Sequence, residues 1–282
     1  MASGRPGPRV ALVLGGGGIR GFAHVGVLQA LEKGDIRPDI VVGTSAGAVV
    51  GAAYASGLSA EEIDRAASKL ELSSLLDWTL DRRGFIRGNA LAKWVSSVVR
   101  VSSIEDMPIR FAAVATELPS GTAVLIDRGD VGSAIRASAS VPGVVVPMTY
   151  GKGTLIDGGI ASLVPVRFAR ALGADIVIAV DVYCNGPSYA GTGMLTIMVQ
   201  VTQVQSCIIG RQELAEADVQ IAPAVDASQG TSVEARRVAK EAGFAAAEAE
   251  MPMLARKLHQ WRSGLATSAE VANFRGSDLR RH

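Results

Sequence analysis

The chain has 282 residues, 48% hydrophobic and 20% charged, enough to enclose a substantial core as one large domain or two small ones. A formal net charge of +1 excludes the general basic surface on which sequence-independent nucleic-acid binding depends. Cys184 and Cys207 are too few for a disulfide framework, lack CxxC spacing or clustered histidines, and are read as two core thiols.

The N-terminal apolar run, Val10 to Leu14, is too short for a signal-peptide core, and no stretch reaches the roughly 18 apolar residues of a membrane span. The expectation is a cytoplasmic protein, able to touch the inner face of a membrane peripherally.

Residues 9–14 (RVALVL) run apolar into four glycines, as a parallel strand buried on both faces does. Phe22, Val25, Leu28 and Leu31 then follow helical spacing, with Gly34 as a stop. Residues 39–42 form a second short strand, and after the turn at 43–47 a small-residue helix runs to about 56. Strand, helix, strand, helix in close succession predicts an α/β sheet built from right-handed crossovers.

Ser59 and Glu62 make a capping box, so a helix is predicted over 60–70, with another over 89–100. Between them, 70–87 carries Leu72, Leu75, Leu76, Trp78, Leu80, Phe85 and Ile86 without clean periodicity, either a lid that touches an acyl chain or an ordinary loop over the core. Strands are predicted at 109–116, 122–126, 154–156, 175–182 and 218–221, with a helix starting near Asp130. The helix from Met194 to about 217 sets Ile197, Val201, Val204 and Ile208 on one stripe, which is assigned to the core. From Gly230 the chain is helical to about Arg262 with a break near Pro252, and a polar tail follows.

Three features carry chemistry. Gly43-Thr44-Ser45-Ala46-Gly47 matches GxSxG where a strand passes directly into a helix, the setting of a nucleophile elbow. Crowding there requires small residues such as Gly43 and Gly47, and the first amides of the next helix favour negative charge developing near Ser45. Next, Gly15-Gly16-Gly17-Gly18 lies between the first strand and helix. No Lys-Ser or Lys-Thr closes it as a P-loop demands, and Asp39 precedes the second strand rather than following it, so nucleotide binding fails. Glycine amides aimed at one oxygen suit an oxyanion hole, and Arg20 beside them either fixes the loop through nearby carbonyls or meets a lipid phosphate.

The third feature is the base. The chain has His24, His259 and His282. His282 is terminal, His259 sits in a charged late helix, and His24 lies where loop support suits it better than general-base work. That scarcity points to a Ser-Asp dyad through Asp157 of Asp157-Gly158-Gly159, although an Asp-Gly pair is also a common turn and a free carboxylate near pKa 3.9 is a weak base unless desolvated.

GGGGIRGFAHVGVLQAL followed by GTSAG and DGG resembles the patatin-like phospholipase family, in particular small bacterial members related to neuropathy target esterase. Residues 133–138 through Pro142, 217–219 with Pro223, and 243–246 are similar as well, and the resemblance covers roughly 8–255, leaving 256–282 as a helix end and tail. It implies a three-layer α/β/α sandwich with a mostly parallel central sheet, Ser45 as nucleophile and Asp157 as its partner. It also implies an oxyanion hole at Gly16, Gly17 and Gly18, Arg20 at the family's basic position, and support from Gly43, Gly47, Gly158 and Gly159. The substrate so implied is a phospholipid or lysophospholipid ester, with no cofactor and no metal. One departure is Gly143-Val144-Val145-Val146-Pro147, where many relatives carry a phenylalanine. The competing functions are acyl transfer from the same acyl-serine to an alcohol or thiol, and a non-catalytic lipid-binding role.

Overall fold

The computed structural model describes residues 7–151, 153–187 and 192–263. The elements are β1 (Val10–Leu14), α1 (Phe22–Lys33), β2 (Ile40–Thr44), α2 (Ala46–Ala55), α3 (Ala60–Lys69) and α4 (Asn89–Val98). Then come β3 (Arg110–Leu118), β4 (Ala123–Ile126), α5 (Val131–Ser138), β5 (Met148–Tyr150) and β6 (Gly153–Asp157). The rest is α6 (Val166–Ala171), β7 (Ile176–Val180), α7 (Met194–Leu214), β8 (Val219–Ile221) and α8 (Val233–Arg262).

The period-2 alternation of the strands decides the layers. Along β1, Val10, Leu12 and Leu14 point into a core shared with α1, α2, α3 and α8, while Ala11 and Val13 point into a second core shared with α6 and Cys207 of α7. The expected three-layer α/β/α architecture results. Its hydrogen-bonded strand neighbours run β5-β6-β3-β2-β1-β7-β8, with β4 also paired to β3. The half from β3 through β2, β1 and β7 to β8 is parallel, and β4, β6 and β5 add antiparallel pairings.

Local chemistry sets the helix ends. The Ser59 hydroxyl accepts the Glu62 N–H at 3.2 Å and the Glu62 carboxylate accepts the Ser59 N–H at 2.9 Å, which satisfies two orphan donors at the start of α3. α4 is capped from a distance, because the Asp77 carboxylate takes the N–H groups of Gly88 and Ala90. α1 and α8 pack backbone to backbone. A Cβ on Gly26 would lie 1.9 Å from the Lys240 carbonyl oxygen, and one on Gly243 would lie 2.0 Å from that of Ala23.

Three expectations are corrected and two short elements are added. α8 runs through Pro252 unbroken, since Ala239, Gly243, Ala247 and Leu254 hold one stripe in the core while Pro252 faces solvent, where a carbonyl deprived of its partner is hydrated. α6 and β5 are too short, at six and three residues, to leave a periodic signal. The apolar stripe of α7 is outside the core: Ile197, Val201, Val204 and Ile208 are exposed, and the buried face carries Gln203, Ser206, Cys207, Gly210 and Glu213. Cys184 and Cys207 are not separate thiols but a disulfide, their Cα atoms 5.5 Å apart, because α7 returns over the loop that follows β7. In denaturant, both cysteines are expected to react with iodoacetamide only after a reductant is added. Alkylation without reductant, read by mass spectrometry, would show the pair to be open.

Among the described residues no helix is long and apolar enough to cross a membrane. The 70–87 segment is tied down at Asp77 and by the N–H groups of Phe85 and Ile86 on the Val144 carbonyl, yet Trp78, Leu80 and Phe85 turn outward. The polar tail beyond 263 and His282 lie outside the described residues.

Candidate active site

Three partners on β3 explain why two residues far apart in sequence meet. β4 pairs with positions 113–116, β2 with 110–114 and β6 with 115–118. Because β4 overlaps both of the others, β2 and β6 share the opposite edge of β3, end to end. Thr44 stands opposite Val114 and Asp157 opposite Ala115, so the residue that follows β2 and the last residue of β6 become neighbours. The join is tight, since a Cβ on Gly158 would lie 2.1 Å from the Val114 carbonyl oxygen.

Ser45 occupies the sharp turn from β2 into α2, with φ 52° and ψ −119°. A positive φ is rare for a residue with a side chain and is held here by its surroundings. Its N–H donates to the Ser138 hydroxyl at 2.8 Å, and that hydroxyl donates to the Val114 carbonyl at 2.6 Å. The flanking glycines are required by space: a Cβ on Gly43 would meet Ala48 Cα at 2.5 Å, and one on Gly47 would meet the Leu14 carbonyl oxygen at 2.0 Å.

The Ser45 side chain lies near enough to Asp157 to lower the carboxyl's pKa, and both residues are 8% exposed. Asp157 Oδ1 also accepts the Gly159 N–H at 2.8 Å. Burial raises the Asp157 carboxyl from 3.8 to about 6, against the smaller opposing pulls of the Ser45 side chain and the Gly159 N–H. A carboxylate of that basicity accepts a hydroxyl proton far better than a free aspartate does.

The glycine loop divides in two. The N–H of Gly15 donates to the Val180 carbonyl at 2.9 Å and that of Gly16 to the Leu163 carbonyl at 3.0 Å, which anchors the loop. Among the described residues the N–H groups of Gly17 and Gly18 have no partner, and Gly18 has φ 55°. Arg20 is fully buried. Its Nε donates to the Val225 carbonyl at 3.1 Å, its Nη2 to the Pro187 carbonyl at 2.7 Å, and its guanidinium lies over the Tyr183 ring. It ties the loops that follow β7 and β8 to the glycine loop.

His24 is completely buried, and burial lowers its pKa to about 4, so the ring is neutral. Its Nε2 lies 2.9 Å from the Gly15 carbonyl oxygen, which can only accept, so that nitrogen carries the proton. His24 thus holds the glycine loop. His259 is exposed on α8.

Sequence reading left other parts without a role. Thr44 Oγ1 donates to the Ser162 carbonyl at 3.0 Å and Thr116 Oγ1 to the Asp157 carbonyl at 2.9 Å. Glu213 of α7 accepts from the Ser162 hydroxyl and from the Val164 N–H. Burial raises its carboxyl to about 7 despite the lowering effects of Ser162, Val164 and Arg167. Polar residues at 203, 206 and 213, with Gly210 between the last two, on an apolar helix were the available signal.

The family model for patatin-like phospholipases matches residues 12–170. An uncharacterised NTE family protein of Mycobacterium tuberculosis is 40% identical over 176 residues, 62% of this chain and 49% of that protein. Lysophospholipase NTE1 of Debaryomyces hansenii is 38% identical over 179 residues, 61% of this chain and 12% of its own length. Patatin-like phospholipase domain-containing protein 6 of Mus musculus is 35% identical over 184 residues, 62% of this chain and 14% of the mouse protein. The chain thus spans about half, or less, of the length of these curated relatives. VipD from Legionella pneumophila shares the fold, with a TM-score of 0.60 over 89% of this chain and 67% of that one at 14% identity. With a family model matched across more than half of its residues, this chain belongs to the patatin-like phospholipase family.

Proposed function

We propose that the chain is a lipid ester hydrolase of phospholipase A or lysophospholipase type, working through a Ser45–Asp157 dyad. Ser45 attacks the ester carbonyl as Asp157 takes its proton. The collapse of the tetrahedral intermediate releases the alcohol, which receives that proton, and leaves an acyl-Ser45 ester. Asp157 then activates a water that frees the fatty acid. The observation that carries this reading is the juxtaposition of Ser45, held at positive φ at the end of β2, with the buried Asp157 at the end of β6, a carboxyl whose pKa burial has raised. The oxyanion donors narrow from Gly16, Gly17 and Gly18 to the last two, because the Gly16 N–H is engaged by Leu163. The roles of Gly43, Gly47, Gly158 and Gly159 are to permit the two tight turns.

A fluorophosphonate probe and radiolabelled phospholipid test this reading. Covalent labelling is expected on Ser45, and the labelled acyl group is expected as free fatty acid. Label on an added alcohol or thiol instead would make the protein an acyltransferase. No labelling and no turnover would leave a lipid-binding role.

Peripheral membrane contact fits the same reading, at the cytoplasmic inner face expected from sequence. The exposed apolar side chains of α7 and of Trp78, Leu80 and Phe85 support it, since a monomer rarely leaves so many in water. Val204→Asp with Ile208→Asp is expected to weaken sedimentation with phosphatidylcholine vesicles several-fold. Hydrolysis of a soluble short-chain ester should be unchanged. Equal vesicle binding by the double variant would remove α7 from the contact.

A further inference from the structure

The 158–164 segment joins all three parts of the proposed machinery. It leaves Asp157, its Ser162 carbonyl accepts from Thr44 Oγ1 beside the nucleophile, and its Leu163 carbonyl accepts the Gly16 N–H of the glycine loop. Leu163 also fills the space around that loop, with Cδ1 3.0 Å from where a Cβ on Gly16 would lie and 3.3 Å from one on Gly159. Within the segment, the Ser162 N–H closes a turn on the Gly158 carbonyl at 2.8 Å. The chain therefore sets the oxyanion loop, the nucleophile strand and the aspartate turn against one another through seven residues.

What fixes those residues comes from outside them. Glu213, 5% exposed on α7, takes the Ser162 hydroxyl on Oε1 and the Val164 N–H on Oε2 at 2.9 Å. Both partners are buried donors, and a two-oxygen acceptor meets both at once. α7 in turn is anchored by the Cys184–Cys207 disulfide and by Gln203 Nε2 on the Tyr183 carbonyl at 3.3 Å. Gly210 allows this approach, since a Cβ there would lie 2.7 Å from Leu163 Cδ2.

We propose that Glu213 is a positioning residue for the reaction: through Ser162 and Val164 it holds the Leu163 carbonyl that orients the glycine loop and the Ser162 carbonyl that steadies the nucleophile strand. The inference rests on the dyad reading above. It concerns the alignment of Ser45 with the oxyanion donors, not the binding of lipid, so its signature lies in the chemical step.

The test is the rate of Ser45 phosphonylation by a fluorophosphonate, resolved into a maximal rate and a half-saturating concentration. Wild type, Ser45→Ala, Glu213→Gln, Glu213→Ala and Ser162→Ala are compared at a temperature where circular dichroism shows each folded. Glu213→Ala is expected to lower the maximal rate by about 10²-fold with half-saturation little changed, as small misalignments of reacting groups do. Glu213→Gln is expected to recover most of the rate, because its carbonyl oxygen accepts from Val164 and its amide donates to Ser162. Should Glu213→Ala fail to fold, Ser162→Ala carries the test, with about a tenfold slower maximal rate expected. A folded Glu213→Ala or Ser162→Ala protein with the wild-type rate overturns the proposal. So does a glutamine variant as slow as the alanine one, or a loss confined to half-saturation. A wild type that is not labelled at Ser45 overturns the dyad reading and this inference with it, whereas a labelled wild type isolates the failure to Glu213.

Discussion

Asp157→Asn is expected to reduce ester hydrolysis to the level of Ser45→Ala, a loss of about 10³-fold or more in kcat/KM, the range in which a general base contributes. Asparagine keeps the size of the side chain and an oxygen for the Gly159 N–H, now 2.8 Å from Asp157 Oδ1, so the turn should survive. It loses the basicity. In the wild type, kcat/KM is expected to fall about tenfold per pH unit below about 6, because burial puts the Asp157 carboxyl there and its protonated form cannot take the Ser45 proton. Ser45→Ala removes one of the two groups that hold this pKa down, so an infrared titration of that variant should find the carboxyl higher still. His24→Ala gives the contrast. His24 bonds the Gly15 carbonyl, so its loss should slow hydrolysis without moving the acid limb. If His24→Ala is as inactive as Asp157→Asn while folded, and the acid limb disappears with it, the base has been misassigned.

Residues 9–14 were legible as a buried parallel strand because an apolar run ending in glycines has few other readings, and 39–42 as a second short strand before the turn at 43–47. The elbow was legible for the same reason, since its two glycines are forced by contacts of 2.5 and 2.0 Å at Gly43 and Gly47 that no other residue tolerates. The meeting of Ser45 with Asp157 was not visible in spacing. It depends on β2 and β6 abutting along one edge of β3, a non-local arrangement that no periodicity encodes, and the pair was reached through the scarcity of histidine and the family resemblance. The partner of the Gly16 N–H was hidden for the same kind of reason, since the Leu163 carbonyl that takes it lies about 150 positions away. α7 was misread because an apolar stripe was equated with burial, although the opposite face carried the polar groups that a site needs. The disulfide escaped because 23 residues of separation say nothing until α7 folds back over the loop after β7.

The substitution that inactivates the proposed site is also expected to stabilise the fold at alkaline pH. An aspartate in the unfolded chain titrates near 3.8, and Asp157 in the folded protein near 6. Between those values the native state holds a proton that the unfolded state has released, so stability from this group is fully present below the lower value and is lost as pH rises through the upper one. Above about 6, forcing the ionised carboxylate into its buried position costs about 3 kcal/mol, from a shift of about two units at 1.36 kcal/mol each. Asparagine never ionises and escapes that cost. Urea unfolding of Asp157→Asn should therefore give a stability at pH 8 higher than wild type by up to about 3 kcal/mol, with the difference vanishing near pH 4. A difference of the opposite sign, or one that grows toward acid, would mean that the carboxylate is stabilised in its native setting. It would then be too weak a base for the role assigned to it. Stability and basicity at Asp157 are two readings of one shift, so the equilibrium measurement tests the mechanism without any substrate.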